Sequence, residues 1–379
     1  MYNRIFSPPK SSYFLLGARG TGKSTFLRQE YPQATHVNLL DESLYQSYLA
    51  DIGLFYQELS SLKPGSTVVV DEIQRLPALL NEVHRLIEEN RLRFVLSGSS
   101  ARKLRRSGVN LLAGRALNCS LHPFVPEEMG RDFNLNKALS TGLIPINVMA
   151  QDSLATLKAY TQTYLKEEIQ SEALVRNLPG FARFLPIAAL YHGQTLSVSA
   201  TARDAEVSRT TVEGYFSILE DTLIGFKWPA YSPKLRVREK KHPKFYFIDP
   251  GLVRALKKLY GPLAPEEKGH LFEGLIAQVL RSYKDYRDLY DEHYYWSPAD
   301  AQQTEVDFLL KRGAKFIAIE AKSSKKLSNS DLLGLKAIAD LKGLERRILV
   351  YLGPRKQKID GIEVLPFEDF SQLLSKEKL

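Results

Sequence analysis

The stretch "YFLLGARGTGKSTFLRQEY" constrains this chain more than any other. A short apolar run enters a loop, Gly17-Ala18-Arg19-Gly20-Thr21-Gly22-Lys23-Ser24, and a helix-like run leaves it. The loop fits G-x-x-x-x-G-K-[ST] in full, in the strand-to-helix context that gives the pattern its meaning. Its glycines let backbone N–H groups curl around phosphates. Lys23 can reach the β- and γ-phosphates, and Ser24, followed by Thr25, can offer a hydroxyl to Mg²⁺. ATP with Mg²⁺ is the expected ligand.

A site of this kind needs acids at the end of a neighbouring buried strand. "STVVVDEIQRLP" supplies them. Val68, Val69 and Val70 read as a parallel strand. Asp71 would hold Mg²⁺ and Glu72 would polarise the attacking water. Further short apolar runs at Thr35–Leu40, Arg93–Ser100 and Arg115–Leu121, together with strands at Tyr13 and Thr67, alternate with helical stretches. That alternation predicts a parallel, doubly wound α/β sheet. Ser97 or Ser99 would end the fourth strand beside the acids, where a hydroxyl can sense a γ-phosphate. Arg115, just before the fifth strand, is the favoured arginine for a neighbouring subunit's γ-phosphate. Arg102, Arg105 and Arg106 are the alternatives.

Length and composition frame the rest. At 379 residues the chain exceeds one ordinary core, so about two to four domains are expected. No apolar run approaches the roughly 20 residues of a membrane span, and the first residues lack a secretory pattern. A single cysteine excludes an internal disulfide or a cysteine-built zinc cluster, which favours a cytoplasmic setting and no membrane. The net charge of +9 suits a nucleic-acid partner.

The middle of the chain places that charge. "SVSATARDAEVSRTTVEGYFSILE" reads as two helices across a tight turn at Glu206–Ser208, with Ser208 as N-cap. Arg209 and Thr210, with Thr211 and Glu213, would open the helix that reads a DNA groove. Next, Lys234, Arg236, Arg238, Lys240, Lys241 and Lys244 face one acid, Glu239. A hairpin wing so charged would bind phosphates without reading sequence. Asp249 before Pro250 reads as a helix N-cap.

Near the end, "TEVDFLLKRGAKFIAIEAKSS" reads as a hairpin turning at Gly313. Asp307 and Glu320 are acids at strand positions, and Lys322 lies two residues after Glu320, on its face. Glu273 is an acid within an otherwise apolar helical stretch. Together they make either a metal cluster for phosphate-ester cleavage, Lys322 aiding deprotonation, or a structural salt-bridge group.

The phosphate loop, "VVVDEIQRLP", "VLSGSSARKL", "LLAGRA" and "LHPFVPEE", in this order, resemble the AAA+ ATPases of bacteria and archaea. More narrowly the chain resembles a group whose C-terminal part is a domain of unknown function related to PD-(D/E)XK nucleases; "PKFYFIDPGL" and the terminal hairpin belong to that pattern. The resemblance implies a homo-oligomer, a ring of which a hexamer is one form, with no known substrate. The expected order is a P-loop AAA+ core (1–125), a helical lid (126–190), a winged helix with a basic wing (191–262) and a PD-(D/E)XK nuclease-like α/β domain (263–379). The expected activity is ATP hydrolysis coupled to work on DNA, with metal-dependent DNA cleavage left open. The rivals are an ATP-regulated DNA scaffold that does not cut, and an AAA+ protein acting on a protein partner.

Overall fold

A computed structural model describes residues 2–100, 112, 114–164, 177–232, 242–298 and 304–379. The five N-terminal strands form as β1 (Ser12–Leu16), β2 (Thr35–Asn38), β3 (Thr67–Asp71), β4 (Arg93–Gly98) and β5 (Ala116–Ser120). All their pairings are parallel, in the order β2-β3-β4-β1-β5. Alternate side chains serve two cores. Tyr13, Leu15, Val69 and Val95 pack with Phe26 and Leu27 of the helix Lys23–Glu30. Phe14, Val68, Val70, Phe94 and Leu96 pack with Leu79, Val83 and Leu86 of the helix Leu79–Asn90. A sheet covered on both faces explains why its strands read as continuous apolar runs. Parallel direction also brings the carboxyl ends of β1, β3 and β4 to one edge.

Short helices follow: Pro126–Met129, Leu135–Ser140, Pro145–Val148, Ser153–Ala159 and Leu178–Leu190. A second unit holds the helices Val198–Asp204 and Arg209–Asp221 and a small antiparallel sheet of β6 (Gln194–Thr195), β7 (Gly225–Trp228) and β8 (Lys244–Phe247), ordered β6-β8-β7. Glu206 turns the chain between the two helices at φ 54°, and the Ser208 hydroxyl caps the second by accepting from the Thr211 N–H at 3.2 Å. Asp249 caps its helix by accepting from the Leu252 N–H at 3.0 Å. It also accepts from the Leu143 N–H, which ties this unit to the preceding helices.

The C-terminal sheet contains β9 (Glu292–Trp296), β10 (Val306–Arg312), β11 (Lys315–Lys322), β12 (Leu344–Tyr351), β13 (Gln357–Ile359) and β14 (Ile362–Pro366), in the order β13-β14-β12-β11-β10-β9. Gly313, at φ 59°, makes the β10–β11 turn, as expected for a residue free of a Cβ clash. Phe308, Leu310, Ile319, Ile348 and Val350 pack under the helix Pro265–Arg287; Leu309, Ala318, Leu349 and Tyr351 pack on the other face. The register against β9 shifts between Val306 and Leu309, a bulge that re-aims Asp307. Among the described residues no helix is long and apolar enough to cross a membrane.

Candidate nucleotide site and C-terminal carboxylate cluster

The glycine loop leaves β1 and turns into the helix Lys23–Glu30 through Gly20 (φ 83°) and Gly22 (φ 86°), conformations that other residues adopt at a cost. A Cβ on Gly17 would stand 2.4 Å from the Leu121 carbonyl oxygen, so only glycine fits there. Lys23 is buried, and its ammonium donates to the carbonyls of Gly17 at 2.7 Å and Ala18 at 3.3 Å. Ser24 is half-buried beside it, while Thr25 and Arg19 are exposed. The loop ends at a helix start, the standard setting for a phosphate.

Across the sheet edge, the Ser97 hydroxyl donates to Asp71 Oδ1. Glu72 sits at φ 61°, in the left-handed region, at a cost of about 1 kcal/mol for a non-glycine residue. Its carboxylate accepts from the Gln74 amide and from the Ser99 hydroxyl at 3.4 Å, and Gln74 donates again to Ser99 at 3.1 Å. The structure therefore brings Lys23, Ser24, Asp71, Glu72, Ser97 and Ser99 to one edge. Both candidate serines are used, one on each acid. Gln74 was missed: it follows a strand exit as an ordinary polar residue, yet it is 3% exposed and orients Glu72.

Arg4 was missed too. Its buried guanidinium donates to Glu128 at 2.9 Å, the Thr21 carbonyl at 3.1 Å, the His122 carbonyl at 2.5 Å and the Tyr286 hydroxyl at 3.0 Å. One side chain thus joins the phosphate loop, the end of β5 and the C-terminal helix. A cavity of about 20 Å³ behind the loop is lined by Gly17, Thr21, Leu121, Ile248 and Arg281, room for a single water.

Arg115 lies at the amino end of β5, an edge strand, at the opposite end of the sheet from the phosphate loop. That separation is roughly 15 Å for five residues. It pairs with exposed Glu88. Any contact with a γ-phosphate would have to be made on a second copy. Arg102, Arg105 and Arg106 lie outside the described residues, as do Lys234, Arg236, Arg238, Lys240 and Lys241. Arg209, Thr210, Glu213 and Ser217 share an exposed face of their helix.

The expected placement of Lys244 needs a correction. Glu273, Asp307, Glu320 and Lys322 do converge, but a fifth residue has joined them. Lys244, expected in the basic wing, is 2% exposed and reaches into the group from β8. Its ammonium meets Glu273 Oε1 at 2.9 Å, Glu305 Oε1 at 3.0 Å and Asp307 Oδ1 at 3.1 Å. Glu273 Oε1 also accepts from the Tyr246 hydroxyl at 2.5 Å. Asp307 Oδ2 accepts from the Ala321 N–H at 3.0 Å. Glu320 pairs with Lys322 at 2.7 Å and accepts from the Asp307 N–H at 3.3 Å. Of the six oxygens on Glu273, Asp307 and Glu320, only Glu273 Oε2 has no protein donor among these bonds. Each of the other five already accepts from a protein N–H or O–H, and among the described residues no group of three or more His, Cys, Asp or Glu is arranged to hold a metal.

Electrostatics follow this packing. Burial, then the Asp307 charge, pushes the Glu273 carboxyl up to about 7. Burial and Asp307 also raise Glu320 well above the usual range. Burial opposes the Lys244 charge, yet Glu273, Tyr246, Asp307 and Glu305 together hold the ammonium well above its ordinary range. A carboxyl raised on folding contributes stability that is complete below its unfolded value and lost as pH rises through the folded one. The thermal midpoint of the wild type should therefore fall relative to that of Glu273→Gln between pH 5 and pH 8, in parallel melts. Taking the difference cancels buried His192 and His293, which titrate in both proteins.

Comparison with known proteins divides the chain in three. Residues 9–130 match an AAA domain, residues 133–262 a domain of unknown function (DUF8612) and residues 268–370 a domain of unknown function (DUF4143). An uncharacterized protein of Mycobacterium tuberculosis is 27% identical over 374 residues, covering 96% of this chain and 82% of that protein. One of Haemophilus influenzae is 22% identical over 384 residues, covering 93% and 92%. Among solved structures, the Aeropyrum pernix ORC1 protein in complex with DNA is similar at 17% identity and a TM-score of 0.28, covering 66% of this chain and 87% of that one.

Proposed function

We propose that this chain is an ATP–Mg²⁺ hydrolase whose N-terminal AAA domain drives work on DNA, in an assembly of several copies. The observation that carries the reading is the shared sheet edge where Lys23 of the glycine loop, the Asp71–Ser97 pair and the Glu72–Gln74–Ser99 triad meet. The residues fit the ligand: two glycines in left-handed conformations cradle the loop, and a buried ammonium rests on carbonyls that a phosphate can replace. Ser24 and Asp71 would hold Mg²⁺, which neutralises charge on the transferred phosphoryl group. Ser97 orients Asp71 through its hydroxyl. Glu72, held by Gln74 and Ser99, takes the proton of the attacking water. Lys23 stabilises the charge that grows on the γ-phosphate oxygens.

The second unit supports DNA as the partner. We read the two helices across a tight turn, followed by an antiparallel strand pair, as a winged helix. The second helix offers Arg209 and Thr210 on its exposed face, and the sequence between the two strands carries Lys234, Arg236, Arg238, Lys240 and Lys241. Of the two DNA readings, the Lys244-filled cluster favours the one without cleavage. Reversing two charges in Lys240→Glu/Lys241→Glu should weaken duplex binding across sequences. It should lower the slope of log affinity against log salt by roughly 2, measured by fluorescence anisotropy. Unchanged affinity and slope would point to a protein partner instead.

A further inference from the structure

We propose that Lys244 with Glu273, Glu305 and Asp307 is an interdomain ion lock: a tethered ammonium stands where a divalent cation would stand, and it fastens the base of the basic loop to the C-terminal sheet. This does not depend on the ATP reading. It follows from the placement of both legs of the loop between β7 and β8.

On the incoming leg, Lys244 begins β8 and spends its three N–H donors on three carboxylates from another unit, at 2.9–3.1 Å. Glu273 comes from the helix Pro265–Arg287 and Asp307 from the bulge in β10, while Glu305 lies just before that strand. Tyr246, two residues on and therefore on the same face of β8, adds its hydroxyl to Glu273. The Lys244 ammonium also lies 5.7 Å from the Tyr295 ring centroid, and the Tyr295 hydroxyl donates to the His242 carbonyl at 2.8 Å.

On the outgoing leg, the backbone itself joins the C-terminal sheet. The Tyr295 N–H donates to the Pro229 carbonyl at 2.9 Å, and the Tyr231 N–H donates to the Tyr295 carbonyl at 2.7 Å. Ala230 pairs with Tyr295 as a bridge on β9, the edge strand of that sheet. Both legs thus end on one patch around Tyr295. A lysine so buried persists only when fully paired, and the buried Glu273 and Asp307 carboxylates are costly to leave without it, while Glu305 is partly exposed. The lock explains why a strand of the second unit, "KFYF", is buried at every position although it opens with a charge.

The test uses the full chain and thermal melts. Lys244→Met should lower the midpoint by roughly 5–10 °C, because two buried carboxylates lose their counter-charge. Glu273→Gln and Asp307→Asn should each cost less in the Lys244→Met background than in wild type, and the triple variant should return to within a few degrees of wild type. If Lys244→Met does not fold, the triple variant still should. A failure of both overturns the lock, as does a triple variant no more stable than the single one. Mn²⁺ binding by electron paramagnetic resonance supplies the second reading. Wild type should show no site that Asp307→Asn removes. An Asp307-dependent Mn²⁺ site of equal strength in wild type and Lys244→Met would show that a metal, and not Lys244, is the cation of this cluster.

Discussion

Lys23→Ala is expected to abolish useful nucleotide binding while leaving the chain folded. The ammonium donates to the Gly17 and Ala18 carbonyls, contacts local to the loop. Its loss removes a charge-assisted interaction with phosphate of about 2–3 kcal/mol, roughly a 30- to 150-fold fall in affinity. A fluorescent ATP analogue titrated into both proteins measures this directly. A thermal melt adds a control: the analogue should raise the midpoint of wild type and leave that of Lys23→Ala unmoved. Equal affinity in the two proteins would show that the glycine loop does not hold a triphosphate.

Glu72→Gln should separate binding from chemistry. The substitution keeps shape and keeps an oxygen that can accept from Gln74 and Ser99, so the left-handed turn at residue 72 and its surroundings are preserved. It removes the group that takes a proton from water. General-base catalysis contributes roughly 10²- to 10⁴-fold, and turnover should fall by that factor with nucleotide affinity within a few-fold of wild type. Undiminished turnover would move the base to another residue. Asp71, paired with Ser97 on the neighbouring strand, is the first to examine.

The parts of the fold that the sequence shows well are those set by local pattern. Glycine loop, three-valine strand and acid pair each carry their own signal, and a doubly covered parallel sheet turns that signal into five recognisable strands. The expected pairing of Glu320 with Lys322 also follows from strand alternation alone, and Ala321 packs into the opposite apolar cluster as that alternation requires. The misplaced residue is Lys244. It closes a run of basic residues, and charge counting assigns it to the expected basic wing. Its other neighbours, Phe245, Tyr246, Phe247 and Ile248, carried the better signal: a lysine heading a wholly apolar strand needs a buried acid. Which acid could not be read, because Glu273 and Asp307 approach from a different unit. Arg4 and Gln74 were silent for a similar reason. Their partners lie across the fold, as with Arg4 and Tyr286, or depend on a backbone turn at Glu72 that no pattern announces.

Steady-state ATP hydrolysis by wild type, Lys23→Ala and Glu72→Gln, with Mg²⁺ and with or without duplex DNA, tests the proposed engine most directly. Wild type should turn over ATP and do so faster with DNA; Lys23→Ala should fail for want of binding, and Glu72→Gln should bind and stall. Wild-type protein that binds ATP but never hydrolyses it, at any DNA concentration, would contradict an ATP-driven machine built on the Asp71–Glu72 edge.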